Sequence, residues 1–299
     1  MMPKLNDVES FWNSNPCMAR LYHGNKNKIT AFTKIEDERY SRFSGILKYA
    51  LFKSFKGKKV LEVGCGIGSD GIQFARNGAC YTGVDLTNAA VSIAKERFEL
   101  FGQKGEIIKV DTESLPFPDN YFNHVYSFGV IHHSPNPENI VNEIHRVLKP
   151  GGSINIMLYN RTSFYYFIEV KLMRKLFFMF CEKKIFWNRL FRMFGESTAK
   201  RFESFRQKLE EMKAINARPT TKEWISTHTD DVFCPLAGVY SKRDAQKLFI
   251  RFREFKSSVW FIDRDNWFLW LVLGRFMPRS VQNWLEFNFG WFRMIQAEK

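Results

Sequence analysis

The stretch from Lys59 to Asp85, KVLEVGCGIGSDGIQFARNGACYTGVD, constrains the fold more than any other part of this 299-residue chain. Val60-Leu61-Glu62-Val63 has the length and composition of a buried strand. Gly64, Gly66 and Gly68 follow at alternate positions. Without a Cβ they permit a sharp turn and close approach of a ligand to the backbone. Residues 70–77 read as a helix with apolar Ile72, Phe74 and Ala75, ended by Gly78. A second strand, residues 80–84, runs into Asp85. Strand, glycine turn, helix, then a strand with a terminal acid is a way for a parallel sheet to hold a nucleoside. The glycines follow G-x-G-x-G rather than G-x-G-x-x-G, and no second dinucleotide half is visible. A hydride-transferring enzyme is therefore disfavoured.

The same rhythm continues downstream. Thr87 can cap a helix through Ala89, Ala90, Ile93, Ala94 and Phe98. Residues 107–110 read as strand three, ending at Asp111, and residues 122–128 as strand four, followed by Gly129-Val130-Ile131-His132-His133. A helix over 137–148 stops at Lys149-Pro150-Gly151-Gly152, and residues 153–159 form strand five. Such βα repetition predicts a doubly wound α/β sheet. The chain divides into an N-terminal helical cap (1–55), an α/β core (56–159), a basic, aromatic-rich insertion (160–240) and a returning part of the core (241–299). Within the cap, residues 35–50 carry apolar positions at helical spacing. In the returning part, strands are expected over 254–262 and 288–297, the latter with Phe289, Trp291 and Met294 as core contributors. A helix is expected over 241–249 and an apolar helical excursion over 267–285.

Composition narrows the partners. The formal charge is +14. Residues 161–213 alone hold 13 Lys or Arg against 6 Glu. Nucleic acid, an anionic membrane surface or an acidic substrate would each suit such a charge. The cations are interleaved with large Phe and Met residues and no nucleic-acid module is present, which disfavours nucleic acid. Residues 164–194 and 267–289 could present apolar faces rimmed by Lys and Arg to a membrane, or pack as a helical cap or a homodimer contact. The five cysteines show no C-x-x-C and no metal spacing, which suits a reducing cytoplasm. No secretory leader is seen, and the apolar run 267–273 is too short to span a bilayer.

LEVGCGIGSDG resembles motif I of the class I S-adenosylmethionine (AdoMet) methyltransferases, and VDLT resembles motif II. VDTESLPFPDNYFNHVYSFGVIHH and EIHRVLKPGG are similar to the following motifs of the ubiquinone/menaquinone-biosynthesis-like branch. Asn123 departs from that branch, which commonly has Asp there. The resemblance implies a Rossmann-like, seven-stranded, doubly wound sheet with a helical insertion after strand five. The outer segments, Trp12 to Cys17 and His228 to Ser241, look like those of a narrower set of bacterial small-molecule methyltransferases.

AdoMet is the cofactor so implied. The turn of Gly64, Gly66 and Gly68 would pass its methionine portion, with Glu62 acting on the ammonium group through water or backbone. Asp85, beside Leu86, can accept from the ribose hydroxyls, because a carboxylate is acceptor-only. Asp111, with Thr112 and Glu113, faces the adenine, and Ser127 ends strand four at the reactive side. Catalysis is in-line transfer of an activated methyl group to an O, N or C acceptor of a small or amphiphilic molecule, a lipid or quinone being the membrane-associated version. His133 is the candidate base because imidazole titrates near neutral pH, with His228 as a second base. Tyr22, Arg39, Tyr40, His132, Asp230 and Tyr240 are the candidate acceptor contacts, and no metal set is expected. A non-catalytic AdoMet-binding or partner-binding protein is the competing class.

Overall fold

In the computed structural model, the described residues are 3–172, 203, 207, 225, 230, 234–263 and 276–299. They fall into two compact units: residues 1–159, 240–258 and 292–299 in the first, residues 160–239 and 259–291 in the second.

The first unit is built on β1 (Lys59–Val63), β2 (Cys80–Asp85), β3 (Glu106–Lys109), β4 (Phe122–Phe128) and β5 (Leu148–Tyr159). With β6 (Arg253–Trp260) and β7 (Phe292–Glu298) they form a seven-stranded sheet in the order β3-β2-β1-β4-β5-β7-β6. The strand pairs from β3 through β5 are parallel, and β7 lies antiparallel to β5. The seven-stranded α/β sheet expected from the sequence is present.

Alternation along the strands gives the sheet two different faces. Leu61, Val63 and Val125 join an aliphatic core with Ile140 and Ile144 of α7 (Pro137–Val147) and Phe249 beside α8 (Lys242–Leu248). The opposite face, carrying Glu62, His124 and Tyr126, is aromatic: the ring of Phe74 in α5 (Gly71–Arg76) sits 4.7 Å from Phe52 and 5.4 Å from Tyr126. Phe55 stacks on His124 at 4.0 Å. α6 (Asn88–Leu100) begins at Thr87, whose side chain accepts from the Ala90 N–H.

Several boundaries differ from expectation. The cap helix expected over 35–50 is two helices, α3 (Lys28–Arg42) and α4 (Gly45–Tyr49), preceded by α1 (Leu5–Ser14) and α2 (Ala19–His23). Phe43 leaves helical geometry (ψ 52°) just before Gly45, which breaks the run. Strand β5 starts at Leu148 because that residue pairs with Phe122 of β4, and further along the Gly151 N–H donates to the Lys299 carbonyl and the Lys299 N–H to that of Gly152. Asn288 and Phe289 are not in the last strand. They end α9 (Arg279–Phe289), and Phe289 is exposed, whereas Trp291 and Met294 are buried as expected. Asn123, the departure from the family pattern, accepts from the Lys59 N–H at 3.0 Å and so fixes the start of β1.

The second unit contains a short π-helical turn, Tyr166–Leu172, and α9. Asn160 holds it together, donating through Nδ2 to the Gly290 carbonyl and through its backbone N–H to that of Trp291. Most of the expected helical stretch 164–209 and residues 267–275 of the apolar excursion lie outside the described residues.

Candidate functional site

The sheet reverses direction of growth between β1 and β4: the chain runs outward from β1 to β2 and β3, then returns to β4 on the other side. Ligands of open α/β sheets bind outside the carboxyl ends of the strands at such a crossover. The glycine turn follows β1, and Gly129 follows β4.

The glycines there serve different ends. Gly66 has φ +52° and open space where a Cβ would stand. Its N–H donates to Asp85 Oδ2 at 2.9 Å. Gly64 has φ +76°, and a Cβ on it would lie 2.2 Å from the Val130 side chain. Gly68 packs on Ala94 and Phe98 of α6. Asp85 Oδ1 accepts from the N–H and hydroxyl of Thr87, at 3.0 and 2.8 Å. One carboxylate thus joins the glycine turn to the start of α6. Burial raises its pKa, and the hydrogen bonds from Thr87, Gly66 and Leu86 pull it back. The Thr87 donors thus fall on Oδ1 and the Gly66 donor on Oδ2, so both carboxylate oxygens are held at the edge of the turn.

Beneath the turn lie two buried acids. Asp70 accepts four hydrogen bonds: from Arg39 Nε (2.8 Å) and Nη2, from Tyr40 (2.9 Å) and from Tyr126 (2.8 Å). Burial pushes its pKa up, but Arg39 and the phenols outweigh it and hold the carboxyl below its usual range. Glu62 accepts from Tyr81 at 2.6 Å, and burial followed by the nearby Asp70 charge raises its pKa well above normal. Arg39 and Tyr40, expected as acceptor contacts, thus spend these donors on Asp70, and Arg39 also lies 5.2 Å from the ring of Phe128. Tyr22 donates to Glu96, which raises its pKa to about 12.

At the ends of β3 and β4, Asp111 is exposed and accepts from the Glu113 N–H at 2.9 Å, while Thr112 is buried. Glu113 accepts from Ser134 and Asn136, tying the loop after β3 to the start of α7. Ser127 donates to the Val63 carbonyl at 2.8 Å, locking the ends of β1 and β4 together. Beyond Gly129 the two histidines are buried with Tyr159: His132 lies 3.9 Å from its ring and His133 5.9 Å. Trp12 of α1 stands edge-on to His133 at 5.2 Å. Both ring nitrogens of His132 are buried without a hydrogen-bond partner among the described residues. Burial, then His133, holds its pKa well below normal, so the ring is neutral.

Tyr240 packs against the aliphatic core beside α7 and α8, and burial, then Glu138 and Asp244, raise its pKa. Asp230 is half-buried in the second unit, and His228 lies outside the described residues. Asp70, Tyr126, Tyr159 and Val130 were not foreseen as parts of this region. Asp70 left a faint signal, an acid directly after the glycine turn. Trp12 left a clearer one, the W-N-x-N-P-C segment.

Residues 61–156 match the methyltransferase-domain family. A sterol 24-C-methyltransferase of Gibberella zeae is 37% identical over 112 residues, 36% of this chain and 30% of that protein. A ubiquinone biosynthesis O-methyltransferase of Dechloromonas aromatica is 34% identical over 119 residues, 39% of this chain and 51% of that protein. The chain thus spans about half of the curated relatives it matches, or less. The PH0226 protein of Pyrococcus horikoshii OT3 shares the fold over 97% of this chain and 98% of its own, with 15% identity and a TM-score of 0.52. The α/β core of this chain is a class I AdoMet-dependent methyltransferase domain.

Proposed function

We propose that the protein transfers a methyl group from AdoMet to a small, amphiphilic, lipid-like acceptor. The observation that carries this reading is the Asp85 carboxylate, which holds the Gly66 N–H beside the open space over Gly66. Those features fit the cofactor: Asp85 with Leu86 would hold the ribose, and the turn of Gly64, Gly66 and Gly68 the methionine portion. Asp111 and Thr112 would face the adenine. Glu62 and Ser127 support the turn and the strand ends from below. When bound, AdoMet supplies a methyl group already activated on a sulfonium.

The protein's own task is then to orient the acceptor and remove its proton. Orientation can supply much of the rate for an in-line transfer. His133 is the proposed base, set edge-on between Trp12 and Tyr159. His132, kept neutral by burial, is a poor base and serves as an apolar wall with one polar edge. Tyr159 and Trp12 supply flat surfaces for an amphiphilic acceptor. The sterol and ubiquinone chemistry of the relatives' names supports such an acceptor class.

The test is S-adenosylhomocysteine formation with sterols, fatty acids, quinols and polar amines as acceptors. Turnover with an amphiphilic acceptor, lowered about a hundredfold or more by His133→Ala at unchanged cofactor affinity, is the expected result. Turnover with the polar amines alone would contradict the acceptor class.

A further inference from the structure

Helix α9 has no buried residue. Phe276, just before it, is 85% exposed, Trp284 58% and Phe287 64%, and Val281 and Phe289 are exposed as well. At 100° per residue these helical side chains share one broad arc. Arg279 and Glu286, the charged residues of the helix, fall on the opposite arc. Soluble surfaces rarely gather so much exposed aromatic area in one place. In the same unit Phe167 and Leu172 are also exposed, and the Lys171 ammonium lies 5.1 Å from the Phe167 ring.

Charge decides among the occupants of this face. The sequence of the second unit holds 18 Lys or Arg against 12 Asp or Glu. Such an excess repels a second copy of the same unit and attracts an anionic surface. A helix with Trp and Phe on one arc and charge confined to the other is built to lie in the plane of a lipid interface. Its length of 11 residues cannot cross a bilayer. We propose that α9, led by Trp284 and Phe287, docks the protein on the surface of an anionic lipid bilayer. Peripheral docking of this kind gives a membrane-dissolved molecule access without a spanning segment. The inference stands on the helix itself and does not depend on the methyl-transfer reading.

The test uses the full chain and two sets of vesicles, phosphatidylcholine alone and phosphatidylcholine mixed with phosphatidylglycerol. Co-sedimentation with the mixed vesicles, weaker with the neutral ones and falling as salt is raised, is expected. The Trp284→Ser/Phe287→Ser variant should partition at least about tenfold less, because it removes two aromatic side chains from the buried face. Its thermal melt and far-ultraviolet circular dichroism should match those of the wild type, which shows that the fold is intact. No sedimentation of the wild type would overturn the proposal, as would equal sedimentation of the variant. Light scattering that shows a dimer broken by the same two substitutions would also overturn it, assigning the face to a second copy.

Discussion

Arg39 grips Asp70 through two N–H groups on one edge of its guanidinium, so the helix before the sheet is clamped to the residue that follows the glycine turn. A second clamp lies one turn earlier on α3, where Glu36 accepts from Gln73 at 2.6 Å and Arg76 at 2.7 Å. The N-terminal helices therefore belong to the architecture of the turn. Removing one partner of a buried ion pair leaves an uncompensated charge, whereas replacing both with apolar groups need not cost stability. Arg39→Met should destabilise the protein by about 3 kcal/mol or more. Arg39→Met/Asp70→Leu should recover a large part of that loss. Thermal melts of both variants check this, and equal losses would show that the pair is not the clamp.

Gly64 and Gly66 should fail in different ways. Alanine at Gly64 meets the Val130 side chain, so Gly64→Ala should lower stability strongly, and Val130→Ala should restore part of it. Alanine at Gly66 meets no atom and bears only the strain of a positive φ, about 1–2 kcal/mol. Its larger effect should appear in S-adenosylhomocysteine affinity, read by calorimetry beside the melts.

Two buried histidines set a pH limit. Burial above all pushes His124 down to about 3, and His132 well below its ordinary value. A histidine with a depressed folded pKa binds fewer protons in the fold than in the unfolded chain, so stability is full above about pH 6.5 and falls as pH drops below it. The slope is about 1.4 kcal/mol per pH unit for each such group. Glu62, with its raised pKa, works in the opposite sense, gaining its proton in the fold first. The clean readout is therefore a comparison. Between pH 6.5 and 5, His124→Phe should lose less melting temperature than the wild type, and parallel curves would contradict this assignment.

The turn, the sheet and the strand ends were legible because each rests on local chemistry. Strand β4 occupies the residues expected for it, and Asp85 sits where a strand-ending acid must. The Asp70 hub was not legible, since its partners stand 31 and 56 positions away and become neighbours only when the sheet forms. Arg39 and Tyr40 looked like acceptor contacts for the same reason: a sequence shows a polar side chain but not what it meets. Phe289 was taken for core because its aromatic run suits a strand, but α9 continues through it and leaves it exposed.

The most direct test of the account is calorimetric titration of the wild type and the Asp85→Ala variant with S-adenosylhomocysteine. The alanine removes the acceptor for the Gly66 N–H and the one proposed for the ribose, two charge-assisted hydrogen-bonding roles at about 1.5–3 kcal/mol each. Saturable binding by the wild type, weakened about a hundredfold or more in a variant that still melts cooperatively, is the predicted result. Absence of binding heat from folded wild-type protein, or equal affinity in the two, would contradict the placement of the cofactor at this turn.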